Sequence, residues 1–395
     1  MLLNVKEPKP LNMKEILFLT KKKGASDLHL YCNMPPVFRI KGELCQMSCE
    51  PLSNEDIVLL LNDVMTKRHK EVLERKKSVD FAISSVTAGR FRFAVYYQQG
   101  VLSVAARLLS DKIADLKSLG LPESVAKFAE FRDGLVLVTG VTGSGKSTTL
   151  ATIIDLINKN YKKNIITVED PVEYLHENHN SIIHQREVHS DVLSFADALR
   201  DSLRADPDVI LVGEIRDLET MRTAVMAAET GHLVFATLHS KDALSSVNRM
   251  VGAFPAAEQP QLRQQLASTL RGVLSQRLIP DINNTKRVPA AELMFVNQAI
   301  SNLIRQAKDD MIYSAIETGL KENMQTMEQS LIKLLEAGEI SRETAISSAK
   351  NRIMMEKRLE RACFCPKQDE CVFRSVCRKN PKSSNSFNLK GVSNA

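Results

Sequence analysis

Gly140, Gly145, Lys146 and Ser147 stand at the spacing G-x-x-x-x-G-K-[ST] within LVLVTGVTGSGKSTT, residues 135–149. A loop of this kind binds the phosphates of a nucleoside triphosphate. The backbone N–H groups of a glycine-rich turn wrap phosphate oxygens, and the helix that follows aims its positive end at the same anion. Gly140, Gly143 and Gly145 leave room for phosphate and permit positive φ. Thr142, Ser144 and Thr148 complete the loop and the first helical turn. Lys146 would reach the β and γ phosphates, and the Ser147 hydroxyl would take one Mg²⁺ position.

Two more apolar runs end in carboxylates. Residues 208–214, DVILVGE, have the form of a Walker B strand. A strand parallel to the loop strand places Glu214 near the metal and the γ-phosphate, at a position usually held by Asp. Asp208 reads as a turn residue with Pro207. Residues 166–173, ITVEDPVE, end in Glu169, Asp170 and Glu173, one of which would orient and deprotonate an attacking water. His232 and His239 bracket the apolar run in TGHLVFATLHS. At that separation they fall on opposite faces of a straight strand and make no metal pair by themselves.

The elements that carry these residues follow from hydrophobic period. LVLVTG, IITVED, DVILVGE and HLVFATLH are short apolar runs separated by helical stretches, the pattern of a parallel α/β sheet of P-loop type buried on both faces. Before them, from about residue 24 to 109, SDLHLYC, VFRIKGEL, RFRFAVYY and VLSVAARLL alternate with period two. A helical stretch at residues 54–77 interrupts them, which gives a small α+β domain. The expected division is residues 1–110, a linker at 111–123, the α/β core with its C-terminal helices at 124–350, and a tail at 351–395. Beyond Arg277 the chain reads as largely helical.

At 44% apolar and 25% charged residues, the composition is that of a globular chain. No apolar run approaches the roughly 18 residues that a membrane span needs. The N-terminal stretch, broken by Pro8, Pro10 and charges, does not read as a signal peptide, so the expectation is a cytoplasmic protein. Residues 350–395 carry eleven Lys or Arg against four Asp or Glu. The net charge of +6 therefore resides in the tail, and the near-neutral body argues against nucleic acid as a partner.

Taken together, GVTGSGKST, EDPVEYLH, GEIRD and GHLVFATLH resemble the Walker A, Asp box, Walker B and His box of the PilT/PilU branch of the secretion-type ATPases. GASDLHLYCNMPPVFRIKGEL is similar to that family's N-terminal PAS-like domain, and MQTMEQSLIKLLEAGEI to the segment closing its helical part. The resemblance implies a RecA-like core in a homohexameric ring that hydrolyses ATP with Mg²⁺ and retracts type IV pili. It also implies a pilus platform protein at the inner membrane as partner, and a paralogous retraction ATPase. By motif, Glu173 falls on the family's catalytic glutamate, Glu214 on its Walker B acid, and His232 and His239 on its paired histidines. Arg90, Arg92 and Arg107 fall where the family supplies arginines across the subunit interface, a place for charge on the transferred phosphoryl group to be neutralised.

Two departures bear on the role. The family's retraction members carry a segment close to A-I-R-N-L-I-R, whereas residues 299–305 read AISNLIR, with Ser301 in place of a guanidinium. The four-cysteine zinc insertion of assembly-type relatives is missing, because no cysteine lies between Cys49 and Cys363. An accessory retraction ATPase and a nucleotide-binding regulatory protein are the competing readings. In the tail, Cys363, Cys365, Cys371 and Cys377 crowd into fifteen residues and could hold Zn²⁺ or an iron–sulfur cluster, although the spacing lacks a C-x-x-C pair.

Overall fold

The computed structural model describes residues 12–109 and 112–362. The chain forms two compact units, one from Met1–Asp115 with Ser147–Ala236, the other from Leu116–Lys146 with Thr237–Ala395. In the first unit, β1 (Asp27–Leu30), β2 (Val37–Ile40), β3 (Glu43–Gln46), β4 (Ser78–Ser85), β5 (Gly89–Gln98) and β6 (Val101–Leu108) make a sheet in the order β3-β2-β1-β6-β5-β4. All its pairings are antiparallel. The alternation read from sequence is what builds it: Phe91, Phe93 and Val95 face inward on β5, with Val104 and Ala106 beside them on β6. Helices Met13–Lys22 and Asn54–Asn62 cover that face with Ile16, Leu17, Ile57 and Leu60. Ser53 starts the second of these helices with a reciprocal capping box to Asp56.

The remaining strands are β7 (Gly134–Thr139), β8 (Asn164–Glu169), β9 (Ile182–Glu187), β10 (Val209–Val212), β11 (Leu233–Leu238), β12 (Leu270–Pro280) and β13 (Arg287–Phe295). In the first unit, β8 pairs in parallel with β9 and with β10, and β10 in parallel with β11. Every residue of β10 and β11 is buried, as strands covered on both faces require. Helices Phe195–Ser202 and Leu218–Glu229 start at the caps Ser194 and Asp217.

The second unit corrects one expectation. The stretch beyond Arg277, read as helical, first forms β12 and β13, an antiparallel hairpin whose β12 also pairs in parallel with β7. Val273, Leu274, Ile279, Val288, Leu293 and Met294 are buried in it, so tertiary pairing with a fully buried strand overrides local helical propensity. Helices begin only afterwards, with Gln298–Arg305, and continue to Arg352–Ala362. Among the described residues no helix is long and apolar enough to cross a membrane.

Phe93 is fully buried and its ring stacks on Phe81 at 5.2 Å between centroids. The change Phe93→Ala should cost about 3–5 kcal/mol, read as a lower denaturant midpoint for the N-terminal sheet. A shift below about 1 kcal/mol would place the core elsewhere.

Candidate active site

The glycine-rich loop has the conformation its residue types demand. Gly140, Gly143 and Gly145 have φ of 148°, 76° and 90°. At Gly140 a Cβ would meet the Gln276 carbonyl oxygen at 2.4 Å and Ser144 Oγ at 2.5 Å, so no side chain fits there. The Gly140 N–H donates to the Leu238 carbonyl at 3.4 Å, which brings His239, exposed at the end of β11, to the loop. Lys146 Nζ donates to the Gly140 and Val141 carbonyls at 3.0 and 3.1 Å, lying over the turn. Ser144 Oγ and Gln276 Oε1 are buried without a hydrogen-bond partner. Buried polar atoms are normally paired, so this cradle suits a polar ligand. Gln276 escaped the sequence reading, although a lone amide in the run VLSQRLI was a signal.

The other unit gathers the acids. Helix Lys146–Asn160 begins at the loop, and Thr148 Oγ1 shares a hydrogen bond of 2.8 Å with Tyr174 Oη. That bond joins the helix start, with Ser147, to the turn bearing Glu173. A second tie comes from Gly213, whose N–H donates to the Val168 carbonyl at 2.8 Å. A Cβ on Gly213 would meet that oxygen at 3.1 Å and Glu169 Cα at 3.2 Å; the close approach sets the end of β10, and with it Glu214, against the end of β8. Glu214 is bridged by Arg216 at 2.7 Å. Burial pushes the Glu169 carboxyl up to about 7, against hydrogen bonds from Thr167 Oγ1, Gln185 and the Glu173 backbone N–H. Glu169 thus holds the peptide that carries Glu173.

His232 is placed differently. It precedes β11 beside Asp208, the residue before β10, a strand's length from Glu214. Its Nδ1 meets the Ala227 carbonyl at 2.9 Å and Thr230 Oγ1 at 3.1 Å. His232 and His239 thus stand at the two ends of β11. Asp208 does more than turn the chain: it accepts from Lys163 Nζ at 2.8 Å and from the Asn164 N–H at 2.9 Å.

Arg92 and Arg107 lie directly opposite each other on β5 and β6, on the sheet face away from the core. Arg107 is 69% exposed in its side chain and donates to Asp27 at 2.8 Å. Burial alone would raise the Asp27 carboxyl, but hydrogen bonds from Arg107 and Ser26 outweigh it and hold Asp27 below its ordinary value. Arg90, one face-repeat from Arg92, turns instead to the acid-bearing turn of its own chain, donating to the Val172 carbonyl and to Glu187.

Ligands for Mg²⁺ are hard oxygens, and the Ser147 hydroxyl and Glu214 carboxylate fit that requirement. Cys363, Cys365, Cys371 and Cys377 lie outside the described residues. Among the described residues no group of three or more His, Cys, Asp or Glu could hold a metal ion.

A glycine-rich loop with the G-x-x-x-x-G-K-[ST] spacing, held at positive φ directly after the buried strand β7, is that of a P-loop nucleotide-binding protein. A family model described as Type II/IV secretion system protein matches residues 6–366, and the chain belongs to that family. It is 43% identical over 340 residues to the Type IV pilus retractation ATPase PilT of Pseudomonas aeruginosa, spanning 86% of this chain and 98% of that protein. With the Type IV pilus ATPase PilU of the same organism it shares 36% over 339 residues, 86% and 89% of the two chains. A crystal structure of the pilus retraction motor PilT with bound ADP superposes with a TM-score of 0.83 at 45% identity, over 88% of this chain and 100% of that one.

Just past His239, a buried polar cluster anchors the next helix. Asp242 caps helix Ala243–Gly252, and the Ala243 N–H donates to Glu292 at 2.8 Å. Lys350 Nζ pairs with Asp242 at 2.7 Å while its N–H donates to Glu328. Burial pushes Glu292, 3% exposed, up to about 7, with neighbouring Asp242 adding to the rise. A carboxyl raised in the folded state stabilises below its unfolded value and loses that contribution as pH climbs to about 7. Glu292→Gln should therefore gain on the unaltered protein by on the order of 3 kcal/mol between pH 4.5 and 8. Denaturant melts at the two pH values check this; a constant gap would contradict it.

Proposed function

We propose that this chain is a Mg²⁺-dependent ATPase that works as a homohexameric ring and drives type IV pilus retraction. The observation that carries the reading is the phosphate cradle at Gly140 and Lys146 in a chain matching a retraction ATPase almost end to end. Gly140, Thr142, Gly143, Ser144, Gly145, Lys146, Ser147 and Thr148 hold the phosphates, with Lys146 countering β and γ charge. Mg²⁺, when bound, neutralises charge on the phosphates, and Ser147 and Glu214 hold it. Glu173 takes the proton of the attacking water, and His239 meets the γ-phosphate. Arg92 and Arg107 act across a subunit interface, where guanidinium groups on the sheet face away from the core, half-buried at Arg92 and exposed at Arg107, can reach a neighbour's phosphoryl group. Residues 1–110 serve as the PAS-like part, 111–123 as linker and 124–350 as motor. The chain works on the cytoplasmic side of the inner membrane, against a pilus platform protein.

A second reading, an accessory ATPase that needs a partner motor, draws on Ser301. Where the resemblance calls for arginine, Ser301 is buried and donates to the Ala267 carbonyl at 2.5 Å. The higher identity to PilT than to PilU favours the autonomous motor. The four tail cysteines as a Zn²⁺ or iron–sulfur site are a separate proposal, checked by metal analysis of the full chain against one ending at residue 362.

Steady-state hydrolysis by the full-length protein and by Lys146→Ala, with sizing of both, tests the reading. Turnover that depends on Lys146 in a hexamer-sized particle is the expected result. Nucleotide binding without turnover would favour the accessory role.

A further inference from the structure

Val172, the residue before Glu173, is held on both sides of its own backbone by one ion pair. Arg90 Nε donates to the Val172 carbonyl at 2.9 Å, and Arg90 Nη2 donates to Glu187 Oε2 at 3.1 Å. The same Glu187 oxygen accepts the Val172 N–H at 3.2 Å. Neither partner is loose: the side chains are 15% and 11% exposed, and Val172 itself is 4% exposed.

Each partner is itself fixed. Arg90 Nη1 donates to Ser84 Oγ at 3.0 Å on β4, and Ser190 Oγ donates to Glu187 Oε1 at 3.2 Å. Arg68, from helix Lys67–Lys76, donates to the Ser190 carbonyl at 3.0 Å. Arg90 of β5 thus grips the turn that bears the acid, and Arg68 braces the Ser190 turn that holds Glu187.

Stability alone is a weak reason to bury such a pair, since desolvation offsets much of its attraction. Geometry is a better one. Only a guanidinium presents several donors in a fixed fork, so one side chain can bind the carbonyl, the carboxylate and the hydroxyl together. We propose that Arg90 and Glu187 are positioning residues that hold the Glu173 turn in its working conformation, so that a shift of the N-terminal sheet moves the acid. This rests on the hydrolytic reading above, with Glu173 as base. It also separates Arg90 from Arg92 and Arg107: Arg90 is spent within its own chain, and the other two remain on the outer face.

Arg90→Lys keeps the charge and removes the fork. The expected result is a kcat about 10–100-fold lower with the KM for ATP within about twofold, since a small misplacement of a reacting group costs that much. In a Glu173→Gln background, Arg90→Lys should lower the residual rate no further, because it acts through Glu173. Hydrogen exchange at the Val172 amide should rise in Arg90→Lys and in Glu187→Gln while the Phe93 region is unchanged, which excludes general unfolding. Unaltered kcat and exchange in Arg90→Lys, with normal hydrolysis by the parent protein, would overturn the inference alone. An equal fall in rate with and without Glu173 would do the same. A parent protein with no turnover would overturn the inference together with the reading it rests on.

Discussion

Strands buried on both faces leave charge nowhere to go but their ends, and this constraint organises the molecule. β7, β10 and β11 are buried at every residue, and their polar groups come immediately after: Gly140 and the phosphate loop, Glu214, His239. β8 obeys the same rule, ending in Glu169 and the turn to Glu173. Hydroxyls that do fall inside must pair, as Thr139 and Ser275 do at 2.8 Å. Within each unit the charged groups therefore follow the buried segments rather than interrupt them.

Local motifs were the legible part of the sequence. Glycines at 140, 143 and 145, with lysine and serine after them, specify a loop through backbone conformation alone, and the structure gives each glycine positive φ. Alternation specified the N-terminal sheet for a comparable reason, since one face of it is buried and one is not. What stayed hidden depends on distant partners. β12 and β13 form because β7 offers an edge, which no local period announces. Arg90 and Arg92 look like a repeat, yet one binds Val172 and the other faces Arg107.

Polar groups in the interior do positional work in both units. Glu169, Glu187 and Arg90 fix one turn, and Asp242, Glu292, Glu328 and Lys350 fix the start of the helix after His239. Each set joins segments far apart in sequence.

In the proposed mechanism the turn after β8 supplies the base. ATP affinity by calorimetry and phosphate release at saturating Mg²⁺-ATP, measured for Glu173→Gln beside the unaltered protein, test it most directly. The expected result is affinity within about twofold and turnover lower by about 100-fold or more. Near-normal turnover in Glu173→Gln would contradict it and move the base to another acid of that turn.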